Sequence, residues 1–460
     1  MFHRKPLKFS HKATTFAADE AGGITALSLQ MFLATLVIGG LAVDFGSGVA
    51  TKTQLQVAGD AAAHAAVYTR EYHTADEAKT KALQVAAANM PAGKYGNVLT
   101  ADDIQFGDWD RDKQVFTANP KSRNAVLVAT KRHKNRGNGV GTYMLGLVGY
   151  DELDVTSGTV FETYYPMCFR EGFVAQDRVE VQSGSHYGAG FCIHSQNYVK
   201  ASSNNQFDPG TVVSMPDKSD VELPNSGFAT NTGLEAALRD GSYKIRILNR
   251  INDIYTGLMD PKHSTFGVMT PTMPNGDPNE YYRSYIKKFQ VINLNYKMDA
   301  EGGTFTQNRI HEVRCKQDKW TYDLKPGTDL RNAVLITDCR LTIHSGARIE
   351  DAVIFVDNAD DTAVRAPAAV VIGKDDDCAE GGDVQIVTRG SVSFASDASI
   401  YGSQIIAAKD ISLTASADGL EGVSLVAGGI LDVTSNGGYG FCGGAGMNNN
   451  YEAAYFRLAK

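Results

Sequence analysis

The sequence has no surplus of basic charge. Its 44 Lys and Arg stand against 52 Asp and Glu, a formal net charge of −8, and no polybasic patch carries interleaved aromatics. That balance argues against nucleic acid as the main partner. The common catalytic signatures are missing too: there is no GxSxG, no Walker A loop, no GxGxxG opening a helix and no HExxH. No CxxC and no local His cluster points to zinc. What remains is ordinary for folded protein, with 43% hydrophobic and 21% charged residues, which excludes a mostly disordered chain. The 460 residues are about three times a typical domain of ~150, so two or three domains are expected. The 46 glycines crowd the C-terminal third.

From Ala21 to Val43 there are 23 residues without a charge, and about 20 apolar residues at 1.5 Å rise cross a bilayer core of ~30 Å. Thr25, Ser28, Gln30 and Thr35 dilute this run, and Gln30 is a candidate helix–helix contact. A buried soluble helix and a cleaved signal peptide are the competing readings. Against cleavage, Gly39, Gly40 and Ala42 run straight into Asp44 and the helical pattern continues. Arg4, Lys5, Lys8 and Lys12 precede the span, so the positive-inside rule puts residues 1–20 in the cytoplasm and the bulk outside.

Thr51 to Met90 is rich in alanine and other helix formers. Leu55, Ala58, Ala62 and Ala65 share a stripe, with Ala66 beside it, and Gly59 is a candidate kink. A second helix is predicted over Ala75–Asn89, capped near His73–Asp76 and ended by Pro91. Strands follow at Ile104–Trp109, Asn124–Thr130 and Leu153–Phe161, with a short helix at Thr142–Val148, giving an α/β unit over 45–160. The basic stretch Lys131–Arg136 reads as a charged turn on a solvated face, with contact to anionic lipid headgroups as the competing reading.

The C-terminal third repeats. Val392–Phe394 recurs as Ile411–Leu413 after 19 residues and as Leu431–Val433 after 20 more, while Ile405 and Ile406 recur 20 residues on as Leu425 and Val426. Short strands at Val334–Ile336, Leu341–Ile343, Val353–Phe355, Val370–Ile372 and Val384–Ile386 precede them. Strands this short bury nothing singly, but stacked rungs of about 20 residues bury a continuous stripe. The expectation is a parallel β-helix across about Leu330–Cys442, with a sandwich of antiparallel hairpins as competitor. Residues 164–215, with Val179–Val181 and Cys192–His194, look like rungs at one end of the same solenoid. Residues 216–325 would be an insertion, holding a helix at Gly233–Arg239, a strand at Tyr243–Leu248 and polar loops near Asp260–Glu280.

Candidate chemistry is thin. Cys168, Cys192, Cys315, Cys339, Cys378 and Cys442 suit disulfides outside the cytoplasm. Nearest-neighbour pairing gives Cys168–Cys192, Cys315–Cys339 and Cys378–Cys442, among the 15 pairings six cysteines allow. Asp375, Asp376 and Asp377 are weak calcium candidates without EF-hand spacing. Asp351, Asp357, Asp360 and Asp361 resemble the carboxylates of a β-helix glycan-cleaving enzyme, with no basic partner among them. His186, His194 and His311 lack a convincing ligand or base partner.

Several segments carry a resemblance: Asp19-Glu20-Ala21-Gly22-Gly23, Gly40-Leu41-Ala42-Val43-Asp44-Phe45-Gly46, Gln54-Leu55-Gln56 and Gly59-Asp60-Ala61-Ala62-Ala63-His64-Ala65-Ala66. Over residues 19–67 the chain resembles the TadG-like members of the TadE/TadG family, associated with tight-adherence (Flp-type) pilus assembly in bacteria. Phe106-Gly107-Asp108-Trp109 and Asn124-Ala125-Val126 are similar to the small domain that follows in that family. The β-rich region with Cys168 and Cys192 is similar to the exported portion of longer members. Many pilin-like relatives carry a glutamate after a processing glycine, whereas Gly23 here is followed by Ile24-Thr25-Ala26-Leu27-Ser28. That departure points to an uncleaved inner-membrane protein. The DxSxS pattern of von Willebrand type A modules is absent.

The residue patterns and the resemblance together lead to a membrane-anchored α+β protein: an N-terminal transmembrane helix, a pilin-like α/β domain and, from the repeat alone, a parallel β-helix. The expected boundaries are 1–23 cytoplasmic tail, 24–43 transmembrane helix, 44–160 extended helix with the small domain, 161–215 first solenoid part, 216–325 insertion, 326–445 β-helix and 446–460 C-terminal tail. The resemblance further implies a non-enzymatic role in assembling, anchoring or tipping a tight-adherence pilus, with no cofactor. Gln30, Gly39, Gly40, Asp44, Gln54, Leu55, Gly59, Asp60 and Ala62 mark the assembly helix. The implied partners are other pilin-like or Tad-system membrane proteins and the lipid bilayer, with an outer-membrane secretin or a surface glycan as further candidates and no nucleic acid. The implied location is the bacterial inner membrane with a periplasmic bulk, or carriage to the cell surface with the pilus. The alternatives from other classes are a carbohydrate-active β-helix enzyme or glycan-binding module, and a plain structural stalk.

Overall fold

The computed structural model describes residues 23–260, 267–272, 278–279, 281–288, 290–294, 305–317, 320–395, 397–413 and 418–460. The basic tail, and parts of the loops expected near Asp260–Glu280, lie outside the described residues. The chain divides into two units, residues 1–163 with 456–460 and residues 164–455.

In the first unit a single helix, α1, runs Gly23–Arg70, about 70 Å at 1.5 Å per residue. Its first half is apolar and exposed, with Ile24 at 78% and Phe32 at 62%. It is the one described helix long and apolar enough to span a membrane. Its second half is buried on one stripe at Leu55, Ala58, Gly59, Ala62, Ala63, Ala66 and Val67. Spacings of three and four put these residues on one face. Side chains this small let the helix backbone lie close to a sheet. At Gly59 a Cβ would come within 3.1 Å of Thr159 Oγ1 and 3.5 Å of Thr130, and α1 continues through the glycine. The glycine thus serves close approach, and the expected kink does not interrupt the helix.

Helix α2, Ala75–Asn89, starts in a capping box. Thr74 Oγ1 accepts the Glu77 N–H at 3.3 Å and the Glu77 carboxylate accepts the Thr74 N–H at 2.9 Å, which satisfies two donors the helix end leaves free. Ala78, Ala82 and Ala86 are its buried stripe. The sheet under the helices has the order Val115–Ala118, Ile104–Asp110, Ala125–Arg132, Val155–Tyr164, Tyr455–Leu458. Its first four strands pair antiparallel, with Ile104 opposite Val128 and Val128 opposite Thr159. Ile104, Phe106, Val126 and Val128 join the alanines in one core. The last strand, in a segment expected to be a tail, returns to this sheet, where the Val160 N–H donates to Lys460 O at 2.7 Å. The second unit is therefore an insertion in the chain between two neighbouring strands of the first.

The second unit is a solenoid-like stack of three sheets, and every pairing between its named strands is parallel. Parallel pairing takes the place of the antiparallel hairpins of a sandwich. Val392 pairs Ile411 and Ile411 pairs Leu431, while Ile405 pairs Leu425, so the period in the sequence is the vertical repeat of the stack. Inward Val, Ile and Leu form one continuous core. Asn308, in a turn, and Asn332 and Asp351, unpaired positions inside the strands Asp329–Thr337 and Arg348–Val356, take positive φ of 62°, 51° and 46°, where the small polar side chain tolerates the left-handed conformation.

The spatial order of the largest sheet is not the chain order. It reads Leu238–Asp240, Val212–Met215, Cys192–Ser195, Gly172–Ala175, Ser424–Ala427, Gln404–Ala407, Val384–Thr388, Arg348–Val356, Asp329–Thr337, Arg309–Val313, Val291–Leu294. The early rungs therefore extend the stack from its last rung: Leu425 pairs Phe173, Leu431 pairs Val179 and Tyr439 pairs Tyr187. Aromatic rings cement this seam, with Tyr187 stacked on Tyr439 at 4.7 Å and on Phe207 at 4.8 Å. Phe173 meets Phe191 edge-on at 4.8 Å.

Strands at Leu238–Asp240, Val291–Leu294, Arg309–Val313 and Thr321–Leu324 put rungs inside the segment expected to be an insertion over 216–325. The expected strand at Tyr243–Leu248 is replaced by a 3-10 turn, Arg246–Arg250, leading into a helix at Ile251–Met259. Ile247, Ile251, Ile254 and Leu258 are buried, and their spacing of four, three and four is a helical period. Tyr255 of this helix packs on Phe355 at 5.1 Å, which covers part of the solenoid's outer surface. The expected helix over Gly233–Arg239 is shorter, Leu234–Ala237, and passes into a strand at Leu238.

Candidate assembly site

The apolar half of α1 and the collar around its end form the candidate site. Asp44 follows directly on the apolar run, yet it is only 1% exposed. Its carboxylate accepts the backbone N–H groups of Tyr143, Met144 and Leu145 at 2.6, 2.9 and 2.7 Å. Three donors on one carboxylate keep a buried charge solvated by protein. Gly40, one turn earlier, is buried because Met144 fills the space a Cβ would need. Gly40 and Asp44 thus latch the segment 142–148 onto the helix.

The other expected helix residues separate into two groups. Gln30, Gly39 and Gln54 are exposed. Leu55, Gly59 and Ala62 are fully enclosed in the first unit's own core. Asp60 accepts from Gln56 Nε2 at 3.0 Å and from Thr159 Oγ1 at 2.7 Å. The small side chains of this stretch lie against the protein's own sheet.

The basic stretch Lys131–Arg136 is also not a purely solvated turn. Asp103, 5% exposed, receives Lys131 Nζ at 2.7 Å and both terminal nitrogens of Arg136 at 2.8 Å. Burial alone would raise the Asp103 pKa. Hydrogen bonds from Arg136, Lys131 and Thr100 outweigh it and hold the carboxyl below the usual range. The local signal was the Thr100–Asp103 spacing, which forms a capping box in the fold.

All six cysteines are paired, as Cys168–Cys192, Cys315–Cys339 and Cys378–Cys442. Cys378, Glu421 and Cys442 lie close together, as do Cys315, Asp338 and Cys339, but their sulfurs are committed to disulfides. Asp375, Asp376 and Asp377 do not converge on a site. Asp376 pairs with Lys374 at 3.3 Å and accepts the Ala379 N–H, while Asp375 and Asp377 face solvent.

The acidic cluster finds basic partners on other rungs. Asp357 meets Arg389 at 2.5 Å, Asp360 meets Arg340 at 2.6 Å and Asp361 meets Lys409 at 2.7 Å. Asp351 accepts the Gly382 N–H at 2.8 Å. Hydrogen bonding from Arg340 holds Asp360 down to about 2, the reverse of the raised pKa a glycosidase acid needs. His194 bonds Ser214 Oγ at 2.8 Å and Gln196 at 3.1 Å, and burial pushes it down to about 4. His311, likewise lowered to about 4 by burial, lies edge-on to Phe305 at 5.1 Å. His186 pairs with Asp208 at 3.0 Å. These are structural placements for each.

Comparison with known families divides the chain as its fold does. Residues 172–443, more than half of the chain, match the family described as a domain of unknown function, DUF7867, and the chain belongs to that family. Residues 22–78 match a TadE/G-like Flp pilus-assembly family, and residues 61–160 match a Tad-like Flp pilus-assembly family. No curated protein and no solved structure matches the chain. The N-terminal matches support a non-enzymatic, structural or assembly role in Tad/Flp pilus machinery, with other Tad-system membrane proteins and the bilayer as partners.

Proposed function

We propose that this protein is a bitopic inner-membrane component of a tight-adherence pilus system that anchors or assembles the fibre, or joins it as a minor pilin-like or tip subunit. The carrying observation is the division of α1 within a region matched to the Tad families. Its first half leaves an apolar surface uncovered, while its second half is built into a small sheet domain. In this reading residues 24–43 cross the bilayer and contact partner helices through exposed positions such as Gln30 and Gly39. The N-terminus faces the cytoplasm, and the solenoid, a parallel β-helix, is a periplasmic or surface-carried platform. The pilin-like character assigned to the first unit belongs to the same proposal.

A count of surface pili per cell in a clean deletion strain, with plasmid-borne restoration, tests the role. Loss and recovery of pili are expected. Normal pilus numbers in the deletion strain would overturn an essential assembly role.

A further inference from the structure

We propose that the segment Val140–Tyr150 is a membrane foot, seated in the headgroup region of the leaflet from which α1 emerges. The protein would then hold the bilayer at two places, by a span and by a foot. The proposal rests on residues 24–43 being the span.

The segment reads VGTYMLGLVGY, 11 residues without a charge. It exposes Tyr143 at 70%, Leu147 at 75% and Tyr150 at 65%. Large apolar side chains clustered in water are unfavourable unless something covers them. This is a built turn, not a loose one. Val140–Gly141 pairs with Glu152–Leu153. The Thr142 N–H donates to Asp151 O at 3.0 Å and the Tyr150 N–H to Leu145 O at 3.0 Å. Asp44 holds three further amides of the segment. The fold thus spends a buried carboxylate to present three apolar side chains outward.

Position selects lipid as the occupant. Met144 sits on Gly40, inside the apolar run. Met144, Leu145 and Leu147 share an apolar groove with Leu36, Val37 and Leu41 of the same helix. The surface of the foot is therefore continuous with the surface of the span. Leu36 to Asp44 covers about 12 Å of helix rise, comparable to the ~5–10 Å depth at which interfacial segments settle. Tyrosine is the residue type that headgroup regions favour, with its ring in the acyl boundary and its hydroxyl toward water.

The test is depth-dependent fluorescence quenching of the full-length protein in phosphatidylcholine/phosphatidylglycerol vesicles carrying spin-labelled lipids. Three single variants are compared with the parent, whose native Trp109 and Trp320 supply the background. Leu147→Trp is expected to emit at shorter wavelength and to lose roughly half of its added emission to a shallow quencher, as suits a depth of ~5–10 Å. Ile38→Trp should respond to a deep quencher and Val115→Trp, on an exposed strand of the same unit, to neither. If Ile38→Trp is quenched and Leu147→Trp is not, the foot is overturned while the span stands. A blue-shifted but unquenched Leu147→Trp means a second copy or a protein partner covers the segment, which also overturns it. Equal quenching of Val115→Trp would reduce the foot to general adsorption. An unquenched Ile38→Trp removes the span, and the foot with it.

Discussion

The two units of this protein are held together in different ways. In the first, the contacts that close the fold occur once and join distant residues: Asp44 holds Tyr143 across 99 positions, and Thr130 Oγ1 donates to Leu55 O across 75. In the second, contacts repeat with the rung. Asp360 takes its arginine from Arg340, 20 positions away, and apolar residues stack at the same interval. A repeating fold writes its neighbours into its period, so loss of one rung contact is shared among similar ones. A fold of single contacts has no such reserve. The six cysteines sharpen the contrast, because all of them lie between positions 168 and 442.

Redox conditions should separate the units most strongly. Protein isolated under oxidising conditions is expected to have an intact mass six hydrogens below that of the reduced chain, two for each of three disulfides. Reduction should destabilise the solenoid by about 2–4 kcal/mol per bridge, read as a lower urea midpoint, and leave the cysteine-free first unit unmoved. Equal shifts in both transitions, or six free thiols at the outset, would break the comparison.

The seam comes next. Phe173 is fully buried where the early rungs meet the last one, so Phe173→Ala should cost about 3–5 kcal/mol in the solenoid transition alone. A small effect, shared along the stack, would mean that the seam is no weaker than any other rung.

Acid should weaken the first unit through Asp103. Asp103 is ionised at a pKa below that of the unfolded chain, so its contribution is present above about pH 4 and is lost as pH falls toward its folded value. Asp103→Asn should cost about 2 kcal/mol, less than a wholly buried pair, because Lys131 and Arg136 keep 28% and 25% of their side chains exposed. In denaturant titrations taken from about pH 4 downward, the variant's first unit should lose stability less steeply than the parent's. A slope that persists unchanged would assign the acid sensitivity elsewhere.

The smallest effect is expected from Asp360→Asn. Its ion pair with Arg340 lies on the surface of the stack, where such pairs contribute little, so no measurable shift in either urea midpoint is expected. A clear loss in the solenoid transition would give the rung-to-rung charge pairs a stabilising role.

Local patterns carried much of the architecture. The apolar run to Val43, the alanine stripe after Thr51, the Thr74–Glu77 cap and the 19–20 residue repeat are each readable because helix and rung contacts fall at fixed short intervals. The helix at Ile251–Met259 was equally readable, through Ile247, Ile251, Ile254 and Leu258, but its short length and polar surroundings hid the period. Basic partners for the acidic cluster were missed because they sit one or more rungs away, outside any local window.

What the sequence by itself determined, then, is the identity of the building units: an apolar helix, a helix-and-sheet segment and a stack of rungs. Tertiary structure alone decided how they close. It set Gly172–Ala175 against Ser424–Ala427, returned Tyr455–Leu458 to the sheet of Val155–Tyr164, and turned Leu55, Gly59 and Ala62 inward. The physical reason is that loop closure costs only slowly more as the loop lengthens. The chain can therefore join segments hundreds of residues apart wherever apolar faces and backbone donors find matching partners, and no local pattern records which match is taken.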